Sequence, residues 1–150
     1  MAGGQITQGS INMFAPPAYN GMSQGQLPGG FIDVDFTYTY DVVLSALQNL
    51  PNQAVSISND ADFALRAIVL ASATGAFQYR LSDSQGYYLS NGYLQSALLL
   101  IAGAPFPFTV FPEIIFPAGG KIGIDLIDVS NSTNTIQILF RGVKRYQTAG

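Results

Sequence analysis

From Phe31 the chain alternates with a period of two: Ile32, Val34, Phe36, Tyr38 and Tyr40 fall on one face, Asp33, Asp35, Thr37 and Thr39 on the other. Successive side chains of an extended strand point to opposite faces, so this pattern predicts an antiparallel strand with one buried and one wetted side. The same signature returns at 76–82, where Phe77, Tyr79 and Leu81 oppose Gln78 and Arg80. It returns again at 121–129, with Ile122, Ile124 and Leu126 on one face, and at 135–143, with Ile136, Ile138 and Phe140. Residues 54–58 read as a short strand and 63–73 as a longer apolar one.

Turn chemistry separates these runs. Leu50-Pro51-Asn52-Gln53, Asp83-Ser84-Gln85-Gly86 and the polar stretch Ser130-Asn131-Ser132-Thr133-Asn134 are turn clusters, the last read as a polar hairpin loop. Asn91-Gly92 between aromatic flanks is a strong hairpin signal. Residues 94–101 fit a buried strand or a helical turn equally well, and Pro105, Pro107, Pro112 and Pro117 mark an edge or loop region. About eight short strands and no amphipathic helix predict an all-β, antiparallel β-sandwich. A jelly-roll-like winding suits the long excursions best, with an immunoglobulin-like sandwich next.

Residues 1–30 break the pattern. They are rich in Gly, Gln, Ser and Pro, carry no charge and show no period. A disordered leader and an extended arm both fit that composition. Ile11, Met13, Phe14, Tyr19, Met22 and Leu27 are spaced apolar anchors that favour the arm, ordered against a neighbouring subunit. The predicted organisation is an arm over 1–30 and a sandwich domain over 31–150. No basic n-region or apolar h-region opens the chain, since its first basic residue is Arg66, so a secretory signal is not expected. The uncharged stretch 84–112 is interrupted by proline and its dense part is too short for a membrane span.

Composition sharpens this picture. Only 10% of the 150 residues are charged while 48% are apolar, and the net charge is −3. Ordinary soluble domains carry about 25% charge, so the expectation is a protein that hides much of its surface against partners. With no His and no Cys, the usual zinc ligands and the histidine base of nucleophilic triads are missing, and no cofactor is expected. Asp33 and Asp35 read as a solvated edge guard, and Asp60 and Asp62 supply too few oxygens for a calcium loop. Ala118-Gly119-Gly120-Lys121 lacks the frame of a phosphate loop and runs into a strand. Asn131-Ser132-Thr133 matches a glycosylation sequon and is read as loop. Arg141, Lys144 and Arg145 form the one basic cluster; they could meet an acidic partner surface or solubilise a strand end, and specific nucleic-acid binding is not expected.

Residues 116–146 (FPAGGKIGIDLIDVSNSTNTIQILFRGVKRY), with Asp83-Ser84-Gln85-Gly86 and the stretch 106–116, resemble small structural proteins of tailed bacteriophage virions. The similarity spans about residues 31–146. It implies no catalytic residues; it implies a virion component with a β-sandwich core, such as a capsid decoration or cement protein, bound to the major capsid protein and to copies of itself as a dimer or trimer. Such a protein would assemble in the host cytoplasm and reside in the capsid, away from any membrane. A tail, collar, adaptor or fibre-base protein is the alternative within those virions. A carbohydrate-binding module with Tyr87, Tyr88 and Tyr93 as a stacking platform is an alternative of another class.

Overall fold

A computed structural model describes residues 30–99 and 108–148. Eight strands follow in order: β1 (Phe31–Leu44), β2 (Asn49–Ser56), β3 (Asp62–Ala73), β4 (Phe77–Ser82), β5 (Leu94–Gln95), β6 (Phe108–Phe116), β7 (Lys121–Asp128) and β8 (Asn134–Gln147). They form two four-stranded antiparallel sheets, ordered β1-β8-β3-β6 and β2-β7-β4-β5. The fold is therefore all-β, a sandwich, as the alternation predicts. Its core is the inward row of each strand: Phe77, Tyr79 and Leu81 from β4, Ile122, Ile124 and Leu126 from β7, and Ile136, Ile138 and Phe140 from β8, all buried. Phe63, Leu65, Leu44 and Phe116 complete it.

Several local features differ from the sequence reading, each for a physical reason. Leu50-Pro51-Asn52-Gln53 is not a turn but an irregularity inside β2, whose register against β7 shifts between Leu50 and Gln53. Asn52 takes φ 61° there, the left-handed conformation that makes Asn a turn residue and equally suits it to a bulge. The Asn91-Gly92 pair lies in bends rather than a tight hairpin; β4 instead pairs with Leu94 and Gln95, and Ser82 bridges Tyr88. Residues 94–98 resolve into the two-residue β5 and a 3-10 turn at Ser96–Leu98, so both readings of that run hold in part. Ser130–Thr133 is not a hairpin loop, because β7 and β8 belong to different sheets. Asp83-Ser84-Gln85-Gly86 is a turn as expected: Gly86 N–H donates to the Asp83 carbonyl at 3.0 Å, and Gly86 has φ 92°.

The run in β3 lacks a clean period because of a bulge. Phe63 and Leu65 point inward, then Arg66 and Ala67 intervene, and Ile68 and Leu70 resume the inward row. Opposite that bulge, Leu65 pairs with Ile114 and Ala67 with Thr109, so residues 110–113 of β6 stand against Arg66 alone. The excess chain loops outward on an edge strand and carries Pro112, whose peptide bond with Phe111 is cis. Near the chain ends, the Gly30 carbonyl accepts from both the N–H and the hydroxyl of Thr148, at 2.9 and 2.8 Å.

Asp128 organises one end of the sandwich. Its carboxylate is 1% exposed and accepts from the N–H groups of Leu47 and Asn131, the Ser130 hydroxyl and the Asn134 side-chain amide, at 2.6–3.1 Å. Leu47 and Asn131 both sit at φ 58°, a conformation that costs a non-glycine residue about 1–2 kcal/mol. One carboxylate thus holds two disfavoured turns. Asn134 extends the hub to a third turn by bonding Gly75 through both its amide nitrogen and its oxygen, at 2.9 and 3.0 Å.

Candidate interaction surfaces

The outer face of the β1-β8-β3-β6 sheet carries a row of four charges, one from each strand. Arg145 of β8 grips Asp33 of β1 through Nε and Nη2 at 2.8 and 2.9 Å, and Glu113 of β6 through Nη1 at 2.7 Å. Arg66, thrown outward by the β3 bulge, donates through Nε to Glu113 at 2.9 Å and approaches Asp33 at 3.5 Å. The two-pronged fork of Arg145 is the geometry in which arginine binds carboxylates best. Hydrogen bonds from Arg145 hold the Asp33 carboxyl below its ordinary pKa, and those from Arg145 and Arg66 do the same for Glu113. The Arg145 guanidinium is correspondingly held in its charged form.

The sequence reading placed Asp33 with Asp35 as a solvated guard. Asp33 is instead bound to Arg145, which lies more than a hundred residues downstream, and Asp35 alone keeps that role on the exposed edge.

The pairing has a measurable consequence. A carboxylate with a lowered folded-state pKa contributes stability that is complete above its unfolded pKa of about 4 and lost as pH falls through the folded value. Arg145→Ala should therefore lower the melting temperature at pH 7 and flatten the loss of stability between neutral and acid pH. Thermal unfolding at several pH values measures both; a variant with the parent's acid profile would show that the row is not coupled.

The other cations are also engaged within the chain. Lys144 faces the sheet interior, 9% exposed, and meets both Asp60 oxygens at 3.0–3.1 Å, the Ser58 hydroxyl at 2.9 Å, and the face of Phe36 at 4.2 Å. The Tyr38 hydroxyl joins the same cluster through Ser58 at 2.9 Å. Of the basic group read from the sequence, Lys144 and Arg145 thus serve internal carboxylates, and Arg141 is the member left exposed to an outside partner. Asp62 caps the Ala118 N–H at 2.9 Å, at the turn where Gly119 takes φ 77° and feeds β7.

On the outer face of the second sheet, Arg80 lies over the ring of Tyr88 at 3.6 Å and of Tyr93 at 4.8 Å. The Tyr88 hydroxyl and the Asn52 N–H bind Asp125, each at 2.8 Å, and Arg80 approaches that carboxylate at 3.7 Å. Two of the three tyrosines proposed as a stacking platform therefore give a ring face to an internal cation. Tyr87 is the one that is widely exposed, at 70%.

Twelve of the fifteen charged side chains make hydrogen bonds or ion pairs inside the chain, the remainder being Asp35, Lys121 and Arg141. Large apolar side chains show the opposite tendency. Phe111, at the tip of the β6 irregularity, is 92% exposed, and Val43 and Leu47 are about 60% exposed. Even the apolar face of β1 emerges from cover toward its start, where Val34 and Phe36 are exposed although Tyr38, Tyr40 and Val42 of the same face pack on the core. Phe111 was not singled out by pattern; the signal available was an aromatic residue beside proline in a proline-marked edge region.

Ile11, Met13, Phe14, Tyr19, Met22 and Leu27 lie outside the described residues. Among the described residues no group of three or more acidic side chains is placed to hold a metal ion, and no helix is long and apolar enough to cross a membrane. Compared with protein-family models and with curated proteins, the sequence matches none.

Proposed function

We propose that this chain is a non-enzymatic structural protein of a virion, a capsid decoration or cement protein of a tailed bacteriophage that binds across neighbouring major capsid protein subunits. The observation that carries the reading is the division between charged and apolar side chains. Charges are turned inward to lock strands together, while Phe111, Tyr87, Val43 and Leu47 are turned outward. Isolated exposed apolar residues are ordinary, but a chain with so few charges on its surface has little else to keep it apart from its neighbours.

The strand order supports the same reading. In β1-β8-β3-β6 and β2-β7-β4-β5, successive strands β1 to β4 alternate between sheets and β5 to β8 do the same. That is the winding of a jelly roll, an architecture common in viral capsid domains. Fold alone does not carry function, so the weight rests on the surface. In such an assembly each copy contributes a modest contact, and repetition over a symmetric lattice multiplies it.

The uncharged leader is the second element of the proposal, with Ile11, Met13, Phe14, Tyr19, Met22 and Leu27 as its anchors on the partner. Deleting residues 2–28 should leave the melting curve of the sandwich in place and abolish loading onto undecorated capsids in a co-sedimentation assay. A truncated chain that loads to full occupancy would remove the arm from the account.

A further inference from the structure

Where β5 and β6 form neighbouring edges of the two sheets, the sandwich is not fully closed. A cavity of about 130 Å³ opens there, walled by Leu65 and Ile68 of β3, Val110 and Ile114 of β6, Leu94 of β5, and Tyr79 of β4. Tyr79 is 1% exposed, and its hydroxyl has no hydrogen-bond partner. A buried hydroxyl without a partner is costly, and such groups in folded proteins ordinarily find one. Burial pushes this phenol up to about 12, so it stays protonated and is available as a donor.

Water is a poor occupant of this space. A buried water needs two to four polar partners. The only other polar side chain on the wall is Ser90, whose hydroxyl already donates to the Gly92 carbonyl at 2.7 Å. An apolar molecule without an acceptor would fill the volume but leave the phenol orphaned. An uncharged, mostly apolar molecule with one acceptor oxygen satisfies both requirements. The size is suitable, since a cavity of about 150 Å³ takes up benzene.

We propose that the cavity between β4, β5 and β6 is a binding site for a small, uncharged apolar molecule of about six heavy atoms carrying one acceptor oxygen, a ketone, ester or ether, with Tyr79 donating to that oxygen and Leu65, Ile68, Leu94, Val110 and Ile114 enclosing the rest. The site is independent of the capsid reading and of the leader.

The test uses the intact chain and a matched pair of probes, cyclopentanone and methylenecyclopentane, which differ in having an acceptor oxygen or a methylene. Methyl-region NMR titration should shift Leu65, Ile68, Leu94, Val110 and Ile114 with both probes. Cyclopentanone should bind about five-fold more tightly, the effect of one neutral hydrogen bond. Tyr79→Phe should erase that preference while keeping methylenecyclopentane binding, and Leu94→Trp should block both probes. Tyr79→Phe without a probe should not lower the melting temperature, because the hydroxyl it removes satisfies nothing. Equal affinity of the two probes for the parent chain, or no shift with either, would overturn the site. A melting temperature lowered by Tyr79→Phe would also overturn it, by showing that the hydroxyl already has a partner within the chain.

Discussion

Asp128→Ala is expected to destabilise the protein by about 3–4 kcal/mol, since a buried donor left without its partner costs about 1–3 kcal/mol and this change leaves several. The donors are the Leu47 and Asn131 N–H groups, the Ser130 hydroxyl and the Asn134 amide. Two of them belong to residues at positive φ, so the substitution also removes what holds those conformations. Three connections, β1–β2, β3–β4 and β7–β8, lose their common tie, because Asn134 links the hub to Gly75. Urea unfolding of the two proteins measures the loss. Burial taken alone would raise the Asp128 carboxyl, but hydrogen bonds from Ser130, Leu47 and Asn134 outweigh it and hold the group at about 2. Its folded value lies below the unfolded one, so its contribution is complete above about pH 4 and is lost as pH falls through about 2. In Asp128→Ala that part of the acid dependence should vanish. An alanine variant as stable as the parent would mean that the turns are held by something other than this carboxylate.

Phe111→Asp should have the second large effect, and on binding rather than folding. With 92% of the residue exposed, the substitution removes no core contact, and the melting temperature should stay within a degree or two of the parent's. If Phe111 is an anchor buried in the partner, a charge in its place should weaken loading by at least about thirty-fold, the scale of a hot-spot residue. Phe111→Leu should retain most of the binding. The position is well suited to this test because β6 is anchored behind it: Glu113 is held by Arg145 and Arg66, so the outward loop is presented on a fixed base. Saturation binding to undecorated capsids gives the number. Unchanged binding by Phe111→Asp would remove this loop from the contact surface.

The alternation of apolar and polar residues was sufficient for β4, β7 and β8, where Phe77, Ile124 and Ile138 lie where a period of two puts them. It was insufficient wherever a bulge inserts a residue. Arg66 displaces the inward row of β3 by one position, and no local pattern distinguishes that from a continuous apolar run. Pro51-Asn52 uses the chemistry of a turn to build an irregularity inside β2, since left-handed backbone is required in both. The crossing of residues 130–133 between sheets, and the pairing of Asp33 with Arg145 or of Lys144 with Asp60, are products of topology. Sequence separation hides them: a strand face rich in carboxylates looks solvated until the strand carrying its cation is known. The shortage of charge was plain in the composition. That most of the charge is spent inside the molecule, leaving apolar side chains outside, required the fold.

The central claim is that this outward-facing apolar surface belongs to an assembled particle. The most direct measurement is the copy number of the chain in purified virions relative to the major capsid protein, by quantitative mass spectrometry. The account predicts a fixed lattice ratio, with copies over the whole head. Absence of the chain from the particle, with all of it remaining as free monomer in the lysate, would contradict the account.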